Sequence, residues 1–286
     1  MQSRETSADL WHQKPYYSLD AWCKNTYGRK LYKAALDIGC TCPNRDGTLD
    51  TRGCIFCSAG GSGDFAASRQ LSVTDQLNQA KALLSSKWTP EPGKPSLIAY
   101  FQAYTNTYGD PDRLLSCYEE ALSSPEVAGI SIATRPDCLS DIILEGLNRL
   151  RLRYPDRFIW IELGLQSIHD HTAARIRRGY PTSVFYDAAA KLHAQRLPFI
   201  VHLILGLPGE NRLDLLESIR AVNQVQPFGV KLQLLHILRG TDLALLYESG
   251  KCLTRTNLDK CINALLDHVL DRILKIYAAL YLCLKH

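Results

Sequence analysis

The stretch that decides the fold is CTCPNRDGTLDTRGCIFCSAGGSGDF, residues 40–65, which holds four of the ten cysteines of the chain. Cys54 and Cys57 are separated by two residues, a spacing that lets one tight turn direct two thiolates at one metal centre. Cys42 precedes them behind a loop rich in Gly, Pro, Asn and Asp, which can fold back toward the pair. This spacing predicts a metal–thiolate site.

A glycine-rich segment, SAGGSGD, follows directly at residues 58–64. Gly60 and Gly61 lack side chains, so backbone N–H and C=O groups there can approach a ligand closely. A group of thiolates followed at once by such a loop indicates one site for a metal centre and a small molecule.

Three arrangements of the cysteines stay open from the residues alone. In the first, Cys42, Cys54 and Cys57 bind three irons of a [4Fe–4S] cluster, and the fourth iron is open to a small molecule. In the second, Cys40 joins them as the fourth ligand of a closed structural zinc site. In the third, the cysteines form disulfides or are buried thiols.

Outside this stretch, short apolar segments alternate with longer amphipathic ones. This alternation predicts a parallel sheet built from right-handed βαβ units, in which ligands bind at the C-terminal ends of the strands. The strands are predicted near residues 32–38, 96–101, 129–133, 158–163, 199–205 and 230–236. The helices are predicted near residues 74–86, 111–123, 140–154, 183–195 and 212–224.

The composition is that of an ordinary globular protein, with 286 residues, 46% hydrophobic and 22% charged, and a net charge of +4 that permits an anionic partner without indicating one. The N-terminus is polar and no apolar run before the last helix reaches the ~20 residues of a membrane span. We therefore expect no membrane association and a reducing, cytoplasmic location that keeps the thiols free. The sequence contains neither GxGxxG nor a Walker A motif, which argues against nicotinamide or ATP chemistry.

The runs TCPNRDGT, GCIFC and GSGDF resemble the YhcC-like family of radical S-adenosylmethionine (SAM) proteins, which is related to the elongator catalytic-subunit branch. The resemblance extends over residues 16–254. It selects Cys42, Cys54 and Cys57 as ligands of a [4Fe–4S] cluster. Cys40 becomes a buried neighbour, because that position is commonly not cysteine in the family.

The family resemblance also implies the fold: α/β, a partial (β/α)6 TIM-like barrel of the radical SAM type with N- and C-terminal helical extensions. It divides the chain into an N-terminal extension (1–31), a core barrel (32–250) and a C-terminal helical segment (251–286). Residues 258–284 form an apolar-periodic stretch that departs from the family. We expect this stretch to close the barrel, to mediate dimerisation or to be a shortened end.

Two further segments resemble the SAM-binding motifs of the family. In IELGLQS followed by RRG, Glu162 is expected to face the ribose, and Gln166 and Arg178 the methionine end. In LGLPGE, Gly206 is expected to line the adenine pocket. The residues alone also allow other roles. Glu162 and Gln166 can cap a helix or bond within a loop, Arg178 can be a surface charge, and LGLPGE can be a common βα turn.

Several polar residues interrupt or follow the apolar strands and would line a cavity if they point inward. Arg135 and Asp137, in TRPD, resemble the third-strand ending of the family and are the predicted substrate contacts. For His202 and His236, burial with a hydrogen bond to a backbone carbonyl is the favoured expectation. The cavity candidates are Gln102, Thr105, Asn106, Arg135, Asp137, His202, Gln233 and His236. The remaining cysteines singled out, Cys117, Cys138, Cys252, Cys261 and Cys283, are expected to be core thiols.

The resemblance implies a radical SAM enzyme, an oxidoreductase or transferase. It would cleave SAM reductively to a 5′-deoxyadenosyl radical that abstracts hydrogen from substrate, with the electron coming from a reduced flavodoxin- or ferredoxin-like donor. Relatives act on transfer RNA or on porphyrin precursors, so the substrate stays unknown and RNA is one option. The aromatic and basic residues 16–33 suit RNA contact or a packed N-terminal cap equally. The alternative is a non-catalytic Fe–S or zinc-binding protein that interacts with RNA or has a regulatory role.

Overall fold

A single parallel sheet organises the computed structural model, which describes residues 16–85 and 93–250. The strands are β1 (Tyr32–Leu36), β2 (Leu97–Phe101), β3 (Val127–Thr134), β4 (Phe158–Gln166), β5 (Phe199–Leu205) and β6 (Gly229–Leu234). They lie side by side in chain order, and each adjacent pair is parallel. The sheet curls into a half-barrel with helices on its outer face, which confirms the partial (β/α)6 barrel.

Helices connect the strands on the outside. They are α1 (Leu19–Tyr27), α2 (Val73–Leu84), α3 (Pro111–Ser123), α4 (Asp141–Arg153), α5 (Asp170–Arg175), α6 (Thr182–Ala194), α7 (Arg212–Val225) and α8 (Asp242–Glu248), with a short 3₁₀ turn at Pro136–Cys138. The five predicted crossover helices, α2, α3, α4, α6 and α7, are confirmed to within two residues at each end. The short helices α5 and α8 were not predicted, since one or two turns leave too few apolar repeats to read.

Local capping explains where the crossover helices begin. The Asp110 side chain accepts a hydrogen bond from the Asp112 N–H, and Pro111 occupies the first helical position of α3. The Ser140 hydroxyl accepts from a backbone N–H at the start of α4. Asn211 and Asp214 form a complete capping box at α7, a signal that sequence reading missed.

Successive side chains along each strand face either the apolar core beneath the helices or the lumen of the half-barrel. Side chains such as Leu36, Phe101, Ile161 and Val201 pack outward beneath the helices as one large apolar core. The residues between them point into the lumen of the half-barrel, because successive side chains of a strand face opposite sides. This second set provides the polar cavity described below.

The N-terminal segment closes the end of the barrel where the strands begin. In α1, the Trp22 ring lies 4.9 Å from Trp160, 5.6 Å from Phe158 and 5.9 Å from Phe228, measured between ring centroids. These rings sit on a buried cluster that includes Cys23 and Leu31. Trp22 and Tyr27 therefore belong to a packed cap, and contact of this segment with RNA stays a prediction.

Two expectations concern the ends of the chain. Within residues 16–85 and 93–250, no helix is long and apolar enough to cross a membrane. Residues 251–286, including the apolar stretch 258–284 and the cysteines at 252, 261 and 283, lie outside the described residues. The domain boundaries stay predictions.

Candidate functional site

The loop after β1 folds back on itself and gathers three cysteines at one cavity. Its backbone is closed by hydrogen bonds from the Arg45 N–H to the Cys42 carbonyl (2.7 Å), from the Gly53 N–H to the Asn44 carbonyl (2.8 Å) and from the Cys57 N–H to the Cys54 carbonyl (3.1 Å). The three cysteines that the sequence assigned to a cluster all line a cavity of about 240 Å³ at the C-terminal ends of the strands. Cys42 and Cys54, with eleven residues between them in the sequence, thus line the same cavity.

Cys40 has a different environment. It is 3% exposed, packs in the outer apolar core and does not line the cavity. Burial raises the pKa of its thiol to about 11. This is the buried neighbour that the family resemblance implies, and it removes the fourth ligand that a closed zinc site would need.

The remaining geometry also disfavours a zinc site or disulfides. Tetrahedral zinc with bonds of about 2.3 Å would hold its sulfurs within about 4 Å of one another. In the part of the chain that the structure describes, the one triple of ligand atoms within 4.8 Å of one another belongs to His169, Asp214 and Glu217. All seven described cysteines are free thiols, so no disulfide joins any of them.

Each cysteine of the triad has a nitrogen donor beside it. The Asn44 amide nitrogen lies 3.6 Å from the Cys54 sulfur, and a guanidinium nitrogen of Arg135 lies 4.0 Å from the Cys42 sulfur. Burial raises the pKa of Cys54 to about 11 and also raises that of Cys57, which the Arg45 guanidinium partly offsets. Three thiols that converge on a cavity with N–H donors at their sulfurs fit a cluster bound through three thiolates.

The glycine-rich loop is fitted against Tyr104. Gly61 has φ +60°, and a Cβ there would come within 2.4 Å of the Tyr104 ring. The Tyr104 hydroxyl donates to the Ala59 carbonyl at 2.5 Å, and its N–H donates to the Gly61 carbonyl at 2.8 Å. Gly61 lines the cavity whereas Gly60, beside Asp64, does not. Both backbone groups of Gly61 are hydrogen-bonded within the protein, since its N–H also donates to the Ser58 carbonyl at 3.0 Å. A contact of Gly61 with SAM stays a prediction.

Glu162 lies deep in the lumen and is 1% exposed. Its Oε1 accepts from the Lys33 ammonium and the Ser131 hydroxyl, each at 2.5 Å, and its Oε2 lies 2.6 Å from His202 Nε2. Burial alone would raise the pKa of this carboxyl, but Lys33 and His202 hold it well below its usual range. Glu162 lines the cavity, and the ribose contact implied by the family stays a prediction that requires one of these partners to yield.

Gln166 and Arg178 meet at the end of β4. Gln166, at φ +64°, lines the cavity. Arg178 is 1% exposed and donates to protein oxygens through its whole guanidinium. Its acceptors are the carbonyls of Leu165, Ser167 and Tyr180, the Thr182 hydroxyl and the Asp170 carboxylate. Arg178 thus positions the chain around Gln166, and its direct contact with the methionine end of SAM stays a prediction.

Gly206 begins the turn after β5 with φ +87° and does not line the cavity, although Ile204 does.

Six of the eight polar residues that the sequence proposed for the cavity line it, and Asn106 and Asp137 do not. Asp137 instead holds the guanidinium of Arg135 through contacts of 2.9 and 2.7 Å, so Arg135 lies between Asp137 and Cys42. The role of this pair in substrate binding stays a prediction.

Sequence reading missed the charged residues at the bottom of the cavity. Lys33 and Lys231 each interrupt an apolar strand, in β1 and in β6, a signal that the alternation contains but that was not used. Tyr100 lies between them, 4.0 Å from Lys33 Nζ to its ring centroid. His202 is bonded to the Glu162 carboxylate and not to a backbone carbonyl.

Comparison with known proteins adds a family to this geometry. Residues 42–222 match the family model described as the radical SAM superfamily. The chain is 41% identical over 239 residues to the uncharacterized protein YtqA of Bacillus subtilis, covering 84% of this chain and 72% of YtqA. It is 38% identical over 229 residues to protein YhcC of Escherichia coli K12, covering 79% of this chain and 70% of YhcC.

A solved structure shares the fold. The archaeal Elp3 of Methanocaldococcus infernus superposes with a TM-score of 0.53 at 17% identity, over 78% of this chain and 50% of Elp3. At that identity the likeness shows the arrangement of strands and helices.

Proposed function

Because the chain belongs to the radical SAM superfamily, we propose that it is a radical SAM enzyme that uses a [4Fe–4S] cluster and SAM to abstract hydrogen from its substrate. Superfamily members bind both cofactors. The observation that carries the proposal is the convergence of Cys42, Cys54 and Cys57 on the cavity that also contains Gln166 and Gly61.

When bound, the two cofactors supply one-electron cleavage of SAM to methionine and a 5′-deoxyadenosyl radical. The protein's own part is orientation. The three cysteines hold the cluster, Asn44 and Arg135 direct N–H groups at two of the sulfurs, and Arg178 fixes the strand end that carries Gln166.

We also propose the partner and the location. A reduced flavodoxin- or ferredoxin-like protein supplies the electron. The exposed side chains of Leu49, between Cys42 and Cys54 in the sequence, and of Phe65, after Cys57, offer it apolar contacts. Free thiols throughout the described residues support a reducing, cytoplasmic setting.

The test is anaerobic cluster reconstitution followed by dithionite and SAM, with 5′-deoxyadenosine, iron and zinc measured. Cleavage should require Cys54 and should persist in Cys40→Ala, whose thiol lies in the apolar core. Iron without nucleoside in the wild type would favour the non-catalytic Fe–S alternative. Zinc without iron would overturn the cluster assignment itself.

A further inference from the structure

Two polar side chains in the lumen keep hydrogen-bonding atoms that none of the residues described by the structure uses. His202 on β5 and Gln233 on β6 both line the cavity that contains the three cysteines. Across these two strands His202 pairs with Lys231, and Ile204 pairs with Gln233. Gln233 therefore lies about 6–7 Å from His202 along the strand direction, nearer to the C-terminal ends of the strands.

Glu162 fixes the orientation of the His202 ring. The Glu162 Oε2 lies 2.6 Å from His202 Nε2, so Nε2 carries a proton and donates a hydrogen bond to the carboxylate. Burial, together with the positive charge of Lys231, lowers the pKa of His202 to about 4, which leaves the imidazole neutral at pH 7. In a neutral ring with Nε2 protonated, Nδ1 has a lone pair and can only accept a hydrogen bond.

This Nδ1 atom is open to the lumen. Within residues 16–85 and 93–250 it has no hydrogen-bond donor, and the side chain that carries it is 15% exposed and lines the cavity. The amide of Gln233 likewise has no hydrogen-bond partner among those residues. Polar groups inside proteins are nearly always hydrogen-bonded, so two unpaired groups beside one cavity indicate where a polar ligand binds.

We propose that His202 and Gln233 form the substrate subsite for a neutral group with a hydroxyl or N–H donor, which donates to His202 Nδ1. The proposal rests on the proposed function, since it takes this part of the cavity to hold the substrate. Gln233 has both donors and an acceptor and can bind a group of either polarity, so His202 selects the donor. A carboxylate or phosphate would direct its lone pairs at the lone pair of Nδ1 and lose that bond.

Two small lactams provide a matched pair of probes. Pyrrolidinone has an N–H donor for His202 and a carbonyl acceptor for the Gln233 amide, and N-methylpyrrolidinone lacks the donor. Saturation-transfer NMR measures the Kd of each probe for the cluster-reconstituted full chain at pH 7. Pyrrolidinone should bind in roughly the millimolar range expected for so small a ligand. N-methylpyrrolidinone should bind about 2- to 10-fold more weakly, the factor that one hydrogen bond supplies.

Three variants assign this difference to its atoms. His202→Phe keeps a ring but removes the acceptor, so it should weaken pyrrolidinone binding by about the same factor and leave N-methylpyrrolidinone unaffected. Gln233→Met should weaken both probes, because both offer the carbonyl. His193→Phe is the matched control, since His193 is exposed, bonded to the Val225 carbonyl and outside the cavity, and should change neither Kd.

Two kinds of result would overturn the assignment. If pyrrolidinone does not bind, or if its advantage over N-methylpyrrolidinone is absent in the wild type or persists in His202→Phe, Nδ1 does not select a donor. If saturating SAM abolishes pyrrolidinone binding, Nδ1 belongs to a hydroxyl of SAM and not to the substrate.

Two further points keep the test decisive. If His202→Phe does not fold, the two probes on the wild type and on Gln233→Met decide. The binding measurement requires no SAM cleavage, so expected binding without formation of 5′-deoxyadenosine would contradict the proposed function and leave the donor-selective subsite standing.

Discussion

The side-chain nitrogen of Asn44 lies 3.6 Å from the sulfur of Cys54 and 2.7 Å from the carbonyl oxygen of Arg177. Asn44 is 1% exposed, so this amide is enclosed with its partners. It ties the cysteine loop to the segment after α5 and directs an N–H dipole at a proposed cluster ligand. Donors to cluster sulfurs stabilise the more negative, reduced form and so raise the potential.

Asn44→Leu should therefore lower the midpoint potential of the reconstituted cluster. One hydrogen bond of about 0.5–1.5 kcal/mol corresponds to roughly 20–60 mV for a one-electron couple. An anaerobic titration followed by electron paramagnetic resonance measures the shift. Asn148→Leu is the control, since Asn148 is bonded to Gln195 far from the cysteines and should leave the potential unchanged. Equal potentials in wild type and Asn44→Leu, with iron content intact, would contradict the tuning role.

The ligand assignment makes a second prediction. Cys42→Ala, Cys54→Ala and Cys57→Ala should each abolish the intact [4Fe–4S] cluster, because three thiolates hold it. Cys40→Ala should retain it, because that thiol packs in the outer core. Iron counts and the visible absorbance of reconstituted protein measure the outcome. Full iron content in Cys42→Ala would show that another group holds that iron.

The fold was predictable because its signals are local and repeated. Apolar strands of even spacing alternate with amphipathic helices, and caps such as Asp110–Pro111 mark where helices begin. The barrel curvature came from family resemblance, since a repeated βα pattern is common to open and curled sheets. Strand β4 extends beyond its predicted end at residue 163. Its pairing with β5 continues to Gln166 after a shift of register between Gly164 and Gln166, and the sequence pattern gave no sign of that shift.

The site was predictable in part. The spacing of the cysteines predicted a metal–thiolate site, because a metal constrains sequence at short range, and the family resemblance then selected Cys42, Cys54 and Cys57 over Cys40. The partners of Glu162 were not predictable, since Lys33 and His202 are 129 and 40 residues away and meet it only through strand order. The burial of Arg178 was missed for a different reason: three arginines within four residues are typical of a solvated surface.

Arg178 provides a third prediction. Arg178→Met should destabilise the protein by on the order of 3 kcal/mol, because several buried acceptors lose their donor at once. Arg175→Met is the control, as Arg175 is exposed and bonded only to the Pro208 carbonyl among the described contacts. Urea unfolding of the cluster-free wild type and of both variants measures their free energies of unfolding. If Arg178→Met unfolds like wild type but no longer binds SAM, Arg178 is a direct SAM contact and not a positioning residue.

The aromatic cap provides a fourth prediction. Trp22→Ala should cost about 2–4 kcal/mol of unfolding free energy, because the ring packs edge-on against Trp160, Phe158 and Phe228. Tyr186→Ala, at a 42% exposed position, should cost far less. Urea unfolding again measures the difference. An RNA-stacking role for Trp22 would instead leave stability nearly unchanged and weaken RNA retention in a filter-binding assay.

The fifth prediction concerns pH. Burial and Lys231 lower the pKa of His202 to about 4 in the folded protein, against about 6.5 for an exposed histidine. Between these values the unfolded chain binds the extra proton, so folding stability is full above pH 6.5 and falls as the pH drops toward 4. The expected loss between pH 7 and pH 5 is roughly 2 kcal/mol for this one group.

His202→Gln isolates this contribution, because glutamine can still donate to Glu162 but does not titrate. The carboxyl of Glu162, with its lowered pKa, loses its stabilising contribution only below about pH 4.5 and so does not mask the effect. Urea unfolding of cluster-free wild type and variant at pH 7 and pH 5 gives the four free energies needed. The variant should lose roughly 2 kcal/mol less than the wild type over this interval. Equal losses would contradict the lowered pKa of His202.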